Sequence, residues 1–181
     1  MQSVDVRLNI RPGVSYTINS TFKATAGLGY FVVFGDGTAA LHELRPFLGL
    51  QAKWPNMRNF NPVHYIRYEA RNVWFTGDYD NFYESRFRYE IKEEIKLSHE
   101  SSFLSNWYVP IAAEVFIGFP ANSEVFSNFQ RLRITAGLGY HFNTNNRIEL
   151  LYLYQGSEAN VFDTFLQTTD HMLRLRYFIS F

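Results

Sequence analysis

Apolar and polar side chains alternate from residue 4 to residue 18. Val4, Val6, Leu8, Ile10, Pro12, Val14, Tyr16 and Ile18 take the even positions, and Asp5, Arg7, Asn9, Arg11, Gly13, Ser15 and Thr17 the odd ones. A period of two marks a strand with unlike faces. Strands of ordinary globular domains run about 5–6 residues, whereas a tilted strand needs roughly 9–11 to cross a bilayer. This stretch is long enough to cross.

The pattern returns along the whole chain. It predicts strands over Phe22–Phe34, Leu41–Trp54, Val63–Trp74, Tyr83–Ile95, Trp107–Phe119, Arg131–Phe142, Arg147–Gln155 and His171–Phe181, nine in all with the first, and no helix. Short connections rich in turn formers (Asn19-Ser20-Thr21 and Asn143-Thr144-Asn145-Asn146) are expected to alternate with longer loops, notably Gly156 to Thr168. Short turns at one end and long loops at the other are the pattern of outer-membrane barrels. Aromatic residues fall where strand ends meet the two interfaces. Tyr16, Trp54, Trp107, Tyr140 and Tyr177 lie at one side, and Phe34, Trp74, Phe119 and Tyr154 at the other.

Composition sharpens this picture. Aromatic residues make up 18% of the chain against 19% charged residues, an aromatic share high for a soluble domain. The formal net charge is +0, so nothing points to nucleic acid as a partner. The chain has no cysteine, which excludes a disulfide framework and thiolate metal sites. No apolar run approaches the roughly 18 residues of a membrane-spanning helix. A mean hydropathy of −0.20 is no argument against membrane strands, because their two faces cancel in the average. The opening MQSVDVRLNI lacks a basic segment followed by an apolar one, so no signal peptide is read there. The alternative is a soluble sandwich or lipocalin-like barrel, in which the apolar face would be the inside.

With apolar residues outward, the other face is densely ionic. Arg7, Arg11, Arg45, Arg67, Arg71, Arg86, Arg88, Arg131, Arg133, Arg174 and Arg176 share it with Glu43, Glu69, Glu84, Glu90, Glu114 and Glu149. Long side chains would fill a narrow barrel, and charges removed from water must pair. A salt-bridge plug is therefore expected; the arginine excess also permits a narrow anion path. A lipid-modifying enzyme of the acyl hydrolase or transferase type would need a histidine beside a serine and a carboxylate. The candidates are His42 with Glu43, and Asp170-His171 with Ser127, without a motif that singles them out. His64, His99 and His141 show no metal-ligand spacing, so neither a metal nor another cofactor is expected. Gly27-Leu28-Gly29-Tyr30 and Gly137-Leu138-Gly139-Tyr140 sit inside strands, where glycine makes room for bulky neighbours rather than cradling phosphate.

The last strand, Leu173, Leu175, Tyr177, Ile179 and Phe181 at alternate positions, resembles the terminal signal read by the bacterial barrel assembly machinery. His42-Glu43-Leu44-Arg45-Pro46, Tyr83-Glu84-Ser85-Arg86-Phe87-Arg88-Tyr89, Glu114-Val115-Phe116 and Gln130-Arg131-Leu132-Arg133 follow one another along the chain. In these motifs and their order the chain resembles a family of Bacteroidota barrels catalogued as domain of unknown function 2490. The resemblance implies outer-membrane insertion and no particular activity.

Parity adds one expectation. If Phe181 is periplasmic, counting strands back puts Asn19–Thr21 in the periplasm and the start of the chain outside. Bacterial barrels have an even number of strands, so a further N-terminal strand is expected between Val4–Ile18 and Leu173–Phe181. The reading is thus an all-β, antiparallel transmembrane β-barrel, a single domain over residues 1–181 with about ten strands natively and nine visible here. The expected role is a structural or accessory component of an envelope assembly in the bacterial outer membrane. Its expected partners are outer-membrane lipid, the barrel assembly machinery and other envelope proteins.

Overall fold

A computed structural model describes residues 6–34, 40–53, 61–77, 81–97, 104–120, 129–161 and 164–179. The described chain forms one antiparallel sheet with no helix. Its strands are β1 (Val6–Ile10), β2 (Gly13–Thr17), β3 (Phe22–Phe34), β4 (Leu41–Lys53), β5 (Val63–Phe75), β6 (Phe82–Lys96), β7 (Trp107–Pro120), β8 (Phe129–His141), β9 (Asn146–Val161) and β10 (Thr164–Ile179). From β3 onward each strand pairs with its neighbours in sequence, and β1 and β2 both pair with β3.

The first two strands are one strand with a local interruption. Ile10 pairs with Tyr30 and Gly13 with Gly27, so the register runs through Arg11 and Pro12 unbroken. Pro12 has no amide hydrogen for the ladder, but its carbonyl accepts from the Leu28 amide at 3.1 Å. The strand expected over residues 4–18 is thus present from Val6 to Thr17, split at its proline, with residues 4 and 5 outside the described residues.

Two expectations on connections need correction. Gly156 to Thr168 is not a loop: β9 continues to Val161 and β10 starts at Thr164, with Gly156 paired to Thr169. Glycine and polar residues had suggested a break there, but two long partners can carry a hairpin past such positions. Loop length also does not separate the two ends of the sheet. The turns at Asn19 and Asn143 share their end with the long segments 54–62 and 97–106, while β9 and β10 are joined at the other end by residues 162–163. Both asparagine turns are built alike. Asn19 Oδ1 accepts from the amides of Thr21 and Phe22, and Asn143 Oδ1 from those of Asn145 and Asn146, at 2.8–2.9 Å.

The sheet curls. Thr25 on β3 meets the Tyr65 hydroxyl on β5 at 2.8 Å over Gly49 of the strand between. Tyr108 on β7 donates to Glu149 on β9 at 2.9 Å across β8. A Cβ at Gly139 would come within 2.2–2.6 Å of three Tyr108 ring carbons, so that close approach requires glycine. The mid-strand glycines therefore make room for bulky side chains on the concave face. The curl does not close among the described residues: no ladder joins β1 or β2 to β10.

The faces are inverted relative to a soluble core. Leu8, Leu48, Ile111, Leu138 and Leu175 are all exposed on the convex face, and Leu173 reaches 79%. Buried on the other side are Glu43, Arg67, Glu69, Glu84, Arg86, Glu114 and Glu149. Among the described residues, these leucines are not gathered into a common apolar core.

Candidate functional site

Strand alternation and register place the ionic residues together. Glu43 and Arg45 on β4 and Arg67, Glu69 and Arg71 on β5 share the concave face with Glu84, Arg86, Arg88 and Glu90 on β6. The face continues through Glu114 on β7, Arg131 and Arg133 on β8, Glu149 on β9, and Arg174 and Arg176 on β10.

Glu69 is the centre of one cluster. At 1% exposure it accepts from Arg86 Nη2 at 2.5 Å and Arg67 Nη1 at 3.2 Å, with Arg45 Nη1 at 3.7 Å. Glu43 accepts from the Nε of both Arg45 and Arg71 at 2.7 Å, and Arg71 also contacts Glu84. Glu114 is the centre of another, accepting from Arg133 Nη1 at 2.9 Å and touching Arg88, which reaches Glu90 at 3.0 Å. Glu149 has Arg176 at 3.8 Å and Arg147 at 4.0 Å.

Like charges stand directly opposite one another at two places, Arg67 facing Arg88 and Glu90 facing Glu114. Directly opposed like charges destabilise a sheet. Here each finds its counter-ion along its own strand or diagonally, so rows of arginine and carboxylate interlock along the strands. Buried charge is tolerable only when paired and hydrogen-bonded in this way.

The sequence reading missed the aromatic floor of this network. Phe116, 3% exposed, lies under Arg86 at 4.7 Å, Arg133 at 5.2 Å, and Arg88 and Arg131 both at 5.7 Å. Arg45 covers Phe31 at 4.2 Å and Arg67 covers Phe47 at 4.8 Å. Guanidinium groups stack on ring faces by cation–π attraction, and packing several on one ring keeps their planes ordered. The signal was in the parity: Tyr108 and Phe116 share the even positions of β7 with Glu114.

The remaining candidates fall as follows. Arg131 donates to Ser157 Oγ at 3.1 Å, Arg174 makes no ion pair among the described residues, and Arg11 lies over Phe31 at 5.3 Å. Leu173, Leu175, Tyr177 and Ile179 are exposed in a row on the convex face. Phe181, Trp54, Ser127, His99 and the Arg7 side chain lie outside the described residues.

His42, His64 and His171 are built into the convex face beside tyrosines, whereas His141 is on the concave face with its ring 4.7 Å from that of Tyr108. His42 Nδ1 bonds the Tyr30 hydroxyl at 2.8 Å and its ring stacks on Trp74 at 5.6 Å. Alternation sends Glu43 to the opposite face, so the expected His42–Glu43 pairing does not form. Asp170 and His171 part for the same reason: Asp170 accepts from Gln155 at 2.9 Å, while His171 meets the Tyr152 hydroxyl at 2.5 Å. His64 Nδ1 bonds the Tyr89 hydroxyl at 2.7 Å. Around them, Trp107–Tyr140, Tyr140–Phe142 and Phe142–Tyr177 make an aromatic band at the asparagine-turn end, and Phe87–Phe119 and Tyr154–His171 lie toward the other.

An antiparallel all-β sheet curled around an ion-paired interior defines the class of protein. Within it, the chain belongs to the family described as "Protein of unknown function (DUF2490)", which it matches over residues 6–166. No curated protein matches it.

Proposed function

We propose that this protein is a transmembrane β-barrel of the bacterial outer membrane, a structural or accessory component of an envelope assembly whose lumen is sealed by ion-paired side chains. The observation that carries this reading is the inversion of faces, with Glu69 at 1% exposure inside and Leu173 at 79% outside. An apolar surface of this extent calls for lipid or a partner to cover it. Length agrees: thirteen residues, as in β3, β4 and β5, extend about 43 Å and at a tilt near 40° rise about 33 Å, against a hydrocarbon core of about 30 Å.

Closure belongs to the same proposal. An open sheet edge in lipid leaves backbone groups unsatisfied at several kcal/mol each. A further strand, N-terminal to β1 by the parity of the hairpins, would pair with β1/β2 on one side and β10 on the other. The alternating β10 would then serve the barrel assembly machinery as its insertion signal.

Purified protein in planar bilayers tests the sealed lumen. The expected result is insertion with little or no current. A steady anion-selective conductance, reduced by Arg45→Ala or Arg88→Ala, would make the protein a pore instead. Co-purification from native membranes tests the accessory role, with a stable envelope partner expected.

A further inference from the structure

The lysines of the chain are Lys23, Lys53, Lys92 and Lys96. All of them sit on the concave face at the asparagine-turn end. Lys23 is near the start of β3, Lys53 closes β4, and Lys92 and Lys96 are near the end of β6. Lys23 pairs with Gln51, and Lys53 and Lys92 both pair with Val63, in the same parity as Glu43, Glu69 and Glu90. Arginine fills the middle of that face, and lysine is used only at this rim. A guanidinium fork can be buried against carboxylates and rings, whereas an ammonium is a compact, strongly hydrated charge that calls for water or an anion.

A cavity of about 760 Å³ opens among these lysines, with Gln51, Lys53, Lys92, Lys96, Tyr108 and His141 in its wall. All six belong to the concave face. The size is that of a small-molecule site. The carboxylates of the concave face nearby are already taken: Glu90 by Arg88 at 3.0 Å, Glu94 by Arg147 at 2.9 Å and Glu149 by Tyr108 at 2.9 Å. Among the described residues no ion pair engages Lys53, Lys92 or Lys96, and no side-chain hydrogen bond engages Gln51 or the His141 ring. Three cations thus line one cavity without a counter-ion, beside two further groups able to donate. A cleft lined by one sign of charge concentrates ions of the other.

Spacing selects the anion. Lys53 and Lys92 flank Val63, so their backbones lie two strand spacings apart, about 10 Å. Lys92 and Lys96 are separated along β6 by about 13 Å. A single phosphate would have to draw three like charges onto one point. A run of two or three linked phosphates gives each ammonium its own oxygens, and lysine binds phosphate as such a point charge. The cavity is on the opposite side of the sheet from the exposed leucines, so a lipid tail has no apolar surface to follow there. The ligand is therefore a water-soluble one.

We propose that this cavity binds a linked di- or triphosphate group, its oxygens held by Lys53, Lys92 and Lys96, with Gln51 and His141 as further donors. The group can come from inorganic polyphosphate or from the phosphate end of a nucleotide. The site uses the concave face alone and does not rest on the membrane reading.

The full chain folded in micelles is titrated by calorimetry, at constant ionic strength, with orthophosphate, tripolyphosphate, adenosine triphosphate and a short polyglutamate peptide. Tripolyphosphate should bind about tenfold or more tightly than orthophosphate, because linked groups engage their partners as one ligand. Lys92→Gln should weaken tripolyphosphate about tenfold, the loss of one charge-assisted hydrogen bond. Arg11→Gln removes the same charge from the middle of the concave face, more than a screening length away, and should change the affinity less than about twofold. Both side chains are exposed, so both variants keep the fold. Adenosine triphosphate binding more tightly than tripolyphosphate assigns the nucleotide as source; otherwise the inorganic chain is assigned. Equal binding of orthophosphate and tripolyphosphate, no binding of either, tighter binding of polyglutamate, or a loss at Arg11 as large as at Lys92 overturns the proposal. A chain that shows the preference but stays out of vesicles keeps this site and loses the membrane reading.

Discussion

Arg147 on β9 donates to Glu94 on β6 at 2.9 Å, with β7 and β8 lying between them. In a flat sheet three strand spacings would hold those backbones about 14 Å apart. The two side chains meet because the sheet curls with its ionic face inward. The bond reports curvature more than stability, since Glu94 is 47% exposed. A double-mutant cycle with Arg147→Ala and Glu94→Ala should give a coupling of about 0.2–1 kcal/mol. A coupling above about 2 kcal/mol would mean that this pair is dry and part of the plug.

Glu69 should behave differently. It is 1% exposed and takes Arg45, Arg67 and Arg86 at once. Glu69→Ala leaves three guanidinium groups short of their counter-ion inside the curl. Denaturant unfolding in lipid should show a loss of about 3–5 kcal/mol, the range for breaking one side of a buried ion pair. A loss below about 1 kcal/mol would show the interior to be wet and the network loose.

Strand positions and face assignment were legible in the sequence because period-two alternation survives without knowing the neighbours. Arg133 and Glu114 could be put on one face from parity alone, and the structure pairs them at 2.9 Å. What parity cannot give is register. Which arginine serves which carboxylate depends on β6 pairing Arg88 with Phe116 and Glu90 with Glu114. Nor could it reveal the extension of β9 to Val161, because strand pairing overrode the turn-like composition of residues 156–160. Phe116 and Tyr108 were overlooked for a different reason. Neither was placed on a face, because attention went to the charged residues there, although both sit on Glu114's side of β7. A cavity at the asparagine-turn end, with Gln51, Lys92, Tyr108 and His141 in its wall, joins residues from four strands and had no local signature.

Gly139 tests the packing that lets the sheet curl. A methyl added there comes within 2.2 Å of the Tyr108 ring, which must move and give up its bond to Glu149. Gly139→Ala should cost about 1–3 kcal/mol, as overpacking does. Adding Tyr108→Ala to it should cost less than the two single changes summed. Additive losses would mean that Gly139 matters for backbone reasons alone.

Leu48 separates the membrane reading from a soluble one. It is 64% exposed near the middle of β4. On the surface of a soluble protein, Leu48→Arg would change stability by about 0.5 kcal/mol or less. Facing the hydrocarbon midplane it should cost about 2–4 kcal/mol. Folding measured in vesicles distinguishes the two, and Leu138→Arg repeats the test on β8.

The open edges give the last prediction. Among the described residues β1 and β2 pair only with β3, and β10 only with β9. If one further strand lies between them in the native barrel, the two edges stand two strand spacings apart, about 10 Å. A disulfide needs Cα atoms about 4.4–6.8 Å apart. The chain contains no cysteine, so introduced pairs report without interference. Ser15→Cys on β2 can be combined in turn with Met172→Cys, Arg174→Cys or Arg176→Cys on the same face of β10, covering the registers that closure would allow. In protein folded in lipid vesicles, none of these pairs should oxidise to a disulfide, and a bis-maleimide spanning about 10 Å should join at least one. Efficient disulfide formation at any register would mean that β2 and β10 pair directly in a closed nine-row barrel, and the intervening strand would be discarded.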